Sequence, residues 1–154
     1  MKLVYGELKT SLDQSFTIPT NGRLMIERIR PHLLIRQPGG NITGTLTLSV
    51  LNSLKTITYG SKIQTLAAIR SAGSTLLQTN HYHGNISFIF DTPLLLQAGT
   101  YFLRLAASGS YTFSQNDHIG WVKEHENLTI TPSGVAENDT QNPYSFEITT
   151  YKNR

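Results

Sequence analysis

Five histidines and a scatter of carboxylates are the residues of this chain whose types could do chemistry. His81-Tyr82-His83 places two imidazoles on one face if the segment is extended, a spacing suited to a transition-metal site, and His118 and His125 are further nitrogen donors. No carboxylate or thiolate stands beside the pair to complete a ligand set, so the expectation is no metal. Asp117-His118 and Glu124-His125-Glu126 have the composition of general acid–base groups. They stand in polar runs, however, without a GxSxG elbow, an HExxH helix or a phosphate loop, and the carboxylates are too scattered for a glycosidase pair. The sequence therefore reads as non-enzymatic.

Aromatic rings near loops suggest a different chemistry. A flat ring covers the apolar face of a pyranose while amides, carboxylates and guanidinium groups satisfy its hydroxyls. Tyr59, Tyr82, Tyr111 and Trp121 are the candidates. Trp121 lies in an alternating segment and reads first as core, whereas Tyr82 stands in a polar run and reads as exposed. The ligand-binding set is thus Tyr82, Tyr111 and Trp121 with His81 and His83. Oxygen ligands for a structural calcium ion are available at Asn138-Asp139 with Asn142, or at Asn116-Asp117, but neither group follows a fixed motif and no cofactor is expected. The N-x-S/T triplets at Asn41, Asn85, Asn127 and Asn138 are what a chain rich in Asn, Ser and Thr yields by chance.

The elements that must hold these residues are strands. Charged residues make up only 15% of the chain, against about 25% in average soluble proteins, and Thr, Ser, Asn and Gln supply the missing polarity. That mixture suits pleated surfaces with one wet face. The stretch NISFIFDTPLLLQAGTYFLRLAASGSYTFS at 85–114 carries two or three core strands, broken at Pro93, Gly99 and Ser108-Gly109-Ser110, with Tyr111-Thr112-Phe113 opening the last. Gly99 is placed to take a positive φ. Two short edge strands precede Asn21-Gly22, which reads as a turn, and 23–36 follows as a β-capable run interrupted at Pro31. Residues 44–54 alternate cleanly. Residues 61–73 fit a helix opened by Ser61 or a strand, and the strand is favoured because both neighbours are strands. Further strands are expected at 119–123, 128–130 and 144–151, with a loop over 131–142.

About ten short strands without heptads or a fixed repeat predict an all-β fold, a two-sheet antiparallel β-sandwich of jelly-roll type. Residues 1–154 form one domain, with 1–20 as edge strands or an arm, 21–122 as the jelly-roll core and 123–154 as closing strands. The run 26–29, residues 33–36 with Gly39-Gly40, residues 43–48, Phe88-x-Phe90 with Thr92-Pro93-Leu94-x-Leu96, and Ala98-Gly99-Thr100-Tyr101 together resemble the galactose-binding-like jelly-roll modules. The resemblance covers roughly 21–122 and implies the fold more than the role. Such modules occur in carbohydrate-binding regions of exported bacterial proteins and in phage virion proteins.

Thirteen Lys and Arg against ten Asp and Glu give a net charge of +3, with no basic block interleaved with aromatics, so nucleic acid is not an expected partner. The first residues, MKLVYGELKTSLDQ, carry too short an apolar run for a signal peptide, no stretch is long and apolar enough for a membrane helix, and there is no cysteine. These features fit a virion accessory protein of a phage, a head decoration or tail-associated subunit made in the host cytoplasm. It is expected to contact other virion proteins, to form a homo-oligomer and to meet surface glycans. A carbohydrate-binding module or lectin is the alternative.

Overall fold

The computed structural model describes residues 5–40, 42–71, 75–78, 81–123 and 144–150. The fold is all-β, and every strand pair is antiparallel. The strands are β1 (Tyr5–Leu8), β2 (Ser11–Arg36), β3 (Thr45–Asn52), β4 (Thr58–Thr65), β5 (Thr75–Gln78), β6 (His81–Asn85), β7 (Phe88–Ser108), β8 (His118–Val122) and β9 (Phe146–Thr150). A short helix, α1 (Leu66–Ser71), follows β4.

Two of these strands are far longer than the sequence pattern suggests. Residues 11–36 form one continuous strand of 26 residues, and 88–108 form another of 21. The expected turn at Asn21-Gly22 is instead a bulge. Ile18 pairs with Gly99 and Arg23 with Gln97, so four residues of β2 bulge opposite Ala98, with Asn21 at φ 69°. Asn-Gly tolerates left-handed backbone in a bulge as readily as in a hairpin. Pro93 likewise falls where β7 skips its partner: Leu94 pairs with Ile26 and Ile89 with Arg28, leaving 90–93 outside the β2–β7 ladder. A residue without an N–H is tolerated there.

Pro31 marks a change of partners. Up to this point β2 pairs with β7 on one side and, over its second half, with β9 on the other; beyond it, Leu33 to Arg36 pair with β6 and β8. Its carbonyl accepts from Ile86 N at 3.0 Å, and His32 N donates to Ser145 O at 3.0 Å. One set of ladders thus joins β9, β2, β7, β3 and β4, the other β5, β6, β2, β8 and β1, an arrangement compatible with a sandwich. Leu46, Leu48, Val50, Leu103 and Leu105 from the first set share one buried cluster with Leu33, Ile35, Ile119 and Trp121 from the second.

Residues 61–73 combine the two readings of the sequence. β4 runs to Thr65, whose Oγ1 accepts from Ala68 N at 3.1 Å and caps the helix that follows. Leu66 and Ile69, three apart, are fully buried beneath it. Tyr111-Thr112-Phe113 forms no strand; 111–117 is an irregular loop. The expected strand at 128–130 and the 131–142 loop lie outside the described residues, as does Tyr151 at the end of the last strand.

The other face of the β2–β7 ladder is fastened by charge. Arg104 holds Asp13 in a two-pronged pair at 2.9 and 3.0 Å, and Lys55 adds a contact at 2.8 Å while lying over the Phe102 ring. Burial alone would raise the Asp13 carboxyl, but the hydrogen bonds from Arg104 and Lys55 outweigh it and hold the group below its ordinary value.

Gly99 has φ 149°, as the sequence reading anticipated, and its α-carbon is exposed. Gly99→Val is therefore expected to cost about 1–3 kcal/mol through backbone strain without loss of packing. Urea denaturation reads the difference, and an unchanged midpoint would contradict it.

Candidate functional site

Register decides which way the nominated residues face, because residues directly opposite in an antiparallel pair share a side. On β6, Tyr82 pairs with Ile35, whereas His81 and His83 pair with Arg36 and Leu34. Ile35 faces the core. Tyr82 therefore turns inward and packs against the core cluster, which corrects the reading of a ring in an exposed polar loop. His81 and His83 share the opposite side, as an extended segment requires, but β2 and β8 bring His32 and His118 to that side as well.

These four imidazoles do not converge. His83 Nδ1 meets His32 Nε2 at 2.9 Å, so one ring donates while the other accepts. Burial, and next the neighbouring His83, hold His32 below its ordinary value, against the pull of Glu147. His118 is buried among other partners. Its Nδ1–H donates to Ser114 O at 2.8 Å, which leaves Nε2 of the neutral ring to accept from the Tyr5 hydroxyl at 3.2 Å. Burial depresses its pKa, outweighing the Ser114 carbonyl and Glu7. Glu7 Oε2 stands 3.9 Å from Nε2. Among the described residues no group of three or more His, Cys, Asp or Glu is arranged to hold a metal ion. His125, Glu124, Glu126, Asn138, Asp139 and Asn142 lie outside the described residues.

The other two rings of the ligand-binding set serve as struts. Trp121 is fully buried, stacked on Tyr144 with centroids 4.9 Å apart, and its Nε1–H donates to Ser145 O at 2.9 Å. It has no face to offer a sugar. Tyr111 is partly buried against the core; its hydroxyl donates to Leu8 O at 2.6 Å and accepts from Ile119 N at 3.0 Å. Burial pushes that phenol up to about 12. Tyr59 is exposed, at a bulge where β4 meets β3, and sits edge-on to Tyr101.

Two surface features were not singled out from the sequence. One is apolar: Leu54, Ile57 and Ile63 are 78%, 52% and 61% exposed along the β3–β4 hairpin and β4. The other is a cavity of about 310 Å3 between the 37–44 and 109–117 segments, lined by Gly39, Gly40, Thr43, Ser110, Ser114 and Asp117, with Thr112 and Ile42. Ser108-Gly109-Ser110 was legible as a break between strands, but no pattern in the sequence says that it meets the Gly39-Gly40 segment. No protein-family model matches this chain, and no curated protein matches it in sequence.

Two outcomes are expected. Because His32 and His118 have depressed pKa values in the folded state, the unfolded chain takes up protons first. Stability should be full above the ordinary histidine value near 6.5 and decline as pH falls through the folded-state values. His32→Gln should flatten that decline in urea titrations run from about pH 8 to pH 5; an identical slope would show that His32 does not contribute. Tyr111→Phe strands the Leu8 carbonyl and the Ile119 amide and should cost about 1–3 kcal/mol by the same measurement.

Proposed function

We propose that this chain is a non-enzymatic jelly-roll sandwich subunit that acts through protein–protein contacts, as a virion accessory protein of a phage does in head decoration or at the tail. The observation that carries the reading is the apolar surface beside β4. That strand ends the path β1-β8-β2-β7-β3-β4 and exposes Ile63, and the turn before it exposes Leu54 and Ile57. Edge strands are normally blunted by charge. Here the lysine of β4, Lys62, is tied to Asp91 at 2.8 Å. The occupant proposed for this edge is a second copy of the chain, since an edge strand paired with itself antiparallel gives a closed two-fold contact. Met25 and Leu95, opposite each other on β2 and β7 and 37% and 48% exposed, add a second apolar spot.

The alternative, a sugar-binding module working by ring stacking, has less to stand on. Of its four nominated rings, Trp121 is sealed in the core, and Tyr82 and Tyr111 are packed against it.

Light scattering at several concentrations tests the proposal. A closed oligomer is expected, and Ile57→Asp with Ile63→Lys should return it to monomer while circular dichroism stays unchanged. A monomer at every concentration would remove self-association, and an oligomer indifferent to both substitutions would remove β4 as its seat.

A further inference from the structure

We propose that His32 and His83 form a two-nitrogen clamp for a divalent transition metal ion of the zinc, copper or nickel class. The inference uses none of the residues of the β4 contact and stands or falls separately from it.

The spacing along the chain draws attention to His81 and His83, but the fold joins His83 to a different ring. His32 pairs with Asn85 and Leu34 with His83, so His32 and His83 are diagonal neighbours on one side of the β2–β6 ladder. Their ring centroids are 5.2 Å apart, and His83 Nδ1 stands 2.9 Å from His32 Nε2. A metal–nitrogen bond of about 2.0–2.1 Å puts two neighbouring ligand nitrogens roughly 2.8–3.4 Å apart, over the angles from square-planar to tetrahedral coordination. The pair already stands at ligand spacing, and the rings need only pivot for their lone pairs to meet at an ion. Both side chains are half-buried, so an ion can reach them from solvent. The backbone beneath His32 is pinned on two sides: Pro31 O accepts from Ile86 N, and His32 N donates to Ser145 O, each at 3.0 Å. Donors carried on paired strands are preorganised, and little ordering is lost on binding.

The chemistry of the pair selects the cation. Without metal, one ring donates its proton to the other nitrogen across the 2.9 Å contact. On binding, that proton leaves the shared position for water while water returns one to the outer nitrogen of the same ring. Both inner lone pairs then face the ion, both rings stay neutral and no net proton is released. Neutral imidazole nitrogen suits zinc, copper(II) and nickel(II), whereas magnesium and calcium prefer oxygen. Burial disfavours the charged form of His32 and so keeps its lone pair available at neutral pH. The charge beside the pair is mixed. Glu147 Oε1 accepts from Asn85 Nδ2 at 3.1 Å, and Asn85 is directly opposite His32; Arg30 Nη1, 3.6 Å from Glu147 Oε2, offsets part of that negative charge. Two nitrogens are half the ligand set of a structural zinc site, so a Kd of about 1–200 μM is expected, with water in the remaining positions.

The test is a titration of the full 15N-labelled chain at neutral pH with zinc chloride, nickel chloride and magnesium chloride, followed by its amide and imidazole signals. Zinc is expected to shift the imidazole signals of His32 and His83, and paramagnetic nickel to broaden amides around residues 32–34 and 83–85. Magnesium should do neither. His32→Gln and His83→Gln should each weaken zinc binding by about tenfold or more, since a single nitrogen does not chelate. Should either variant fail to fold, the nickel map on the parent chain still locates the ion. The proposal is overturned if zinc at about one millimolar moves neither imidazole, if the broadening centres on His81, His118 or His125, or if a folded variant binds as the parent does. Equal shifts with magnesium also overturn it, because the ion would then be held by oxygens.

Discussion

The antiparallel pairing of β2 with β7 is the constraint on which the remaining elements depend. β7 carries β3, and β3 carries β4; the far part of β2 carries β6, β8 and β9. Each ladder therefore inherits its register from this one. A one-residue slip would turn Leu12, Ile18, Leu103 and Leu105 out of the core and bring Asp13 and Arg104 in. The Asp13–Arg104–Lys55 group guards the register from the solvent side, since its charges find one another only in the observed alignment.

Side-chain alternation made the all-β class legible, and it placed most strands close to where they lie. What it could not resolve was continuity. Asn21-Gly22, Pro93 and Gly99 are turn formers by local physics, and each does take an unusual position, but as a bulge, a skipped partner and a positive-φ residue inside long strands. Whether a kinked chain reverses or continues is decided by what pairs beyond the kink, and for β2 that partner lies on β7, far along the sequence. Thr65 shows the same limit at short range. It ends a strand and caps a helix at once, so a single choice for 61–73 had no correct answer.

The binding residues were less legible than the strands. Tyr82 occurs among polar neighbours, which suggested exposure, and Tyr111 was expected to open a strand. Yet Tyr82 is turned inward by its register with Ile35, and Tyr111 sits in a loop whose hydroxyl bridges β1 and β8. Composition reports the neighbours along the chain, whereas burial depends on neighbours across it. The cavity escaped notice for the converse reason: its lining residues are individually unremarkable turn formers, and only their juxtaposition through Gly39–Asp117 and Thr43–Ser110 gives them a shared surface.

The length of β2 also bears on how the molecule assembles. Its ladder partners sit on β6, β7, β8 and β9, all encoded well after it, so on a ribosome a strand of 26 residues emerges with nothing to pair with. The loops that must close are long, and this topology belongs to the slow end of folding rates. Until β7 arrives, the row of unpaired amides and carbonyls along β2 is an open invitation to neighbouring nascent chains. The bulge at 19–22 and the proline at 31 interrupt that row, so the same irregularities that shape the finished sheet also shorten the sticky segments of the unfinished one.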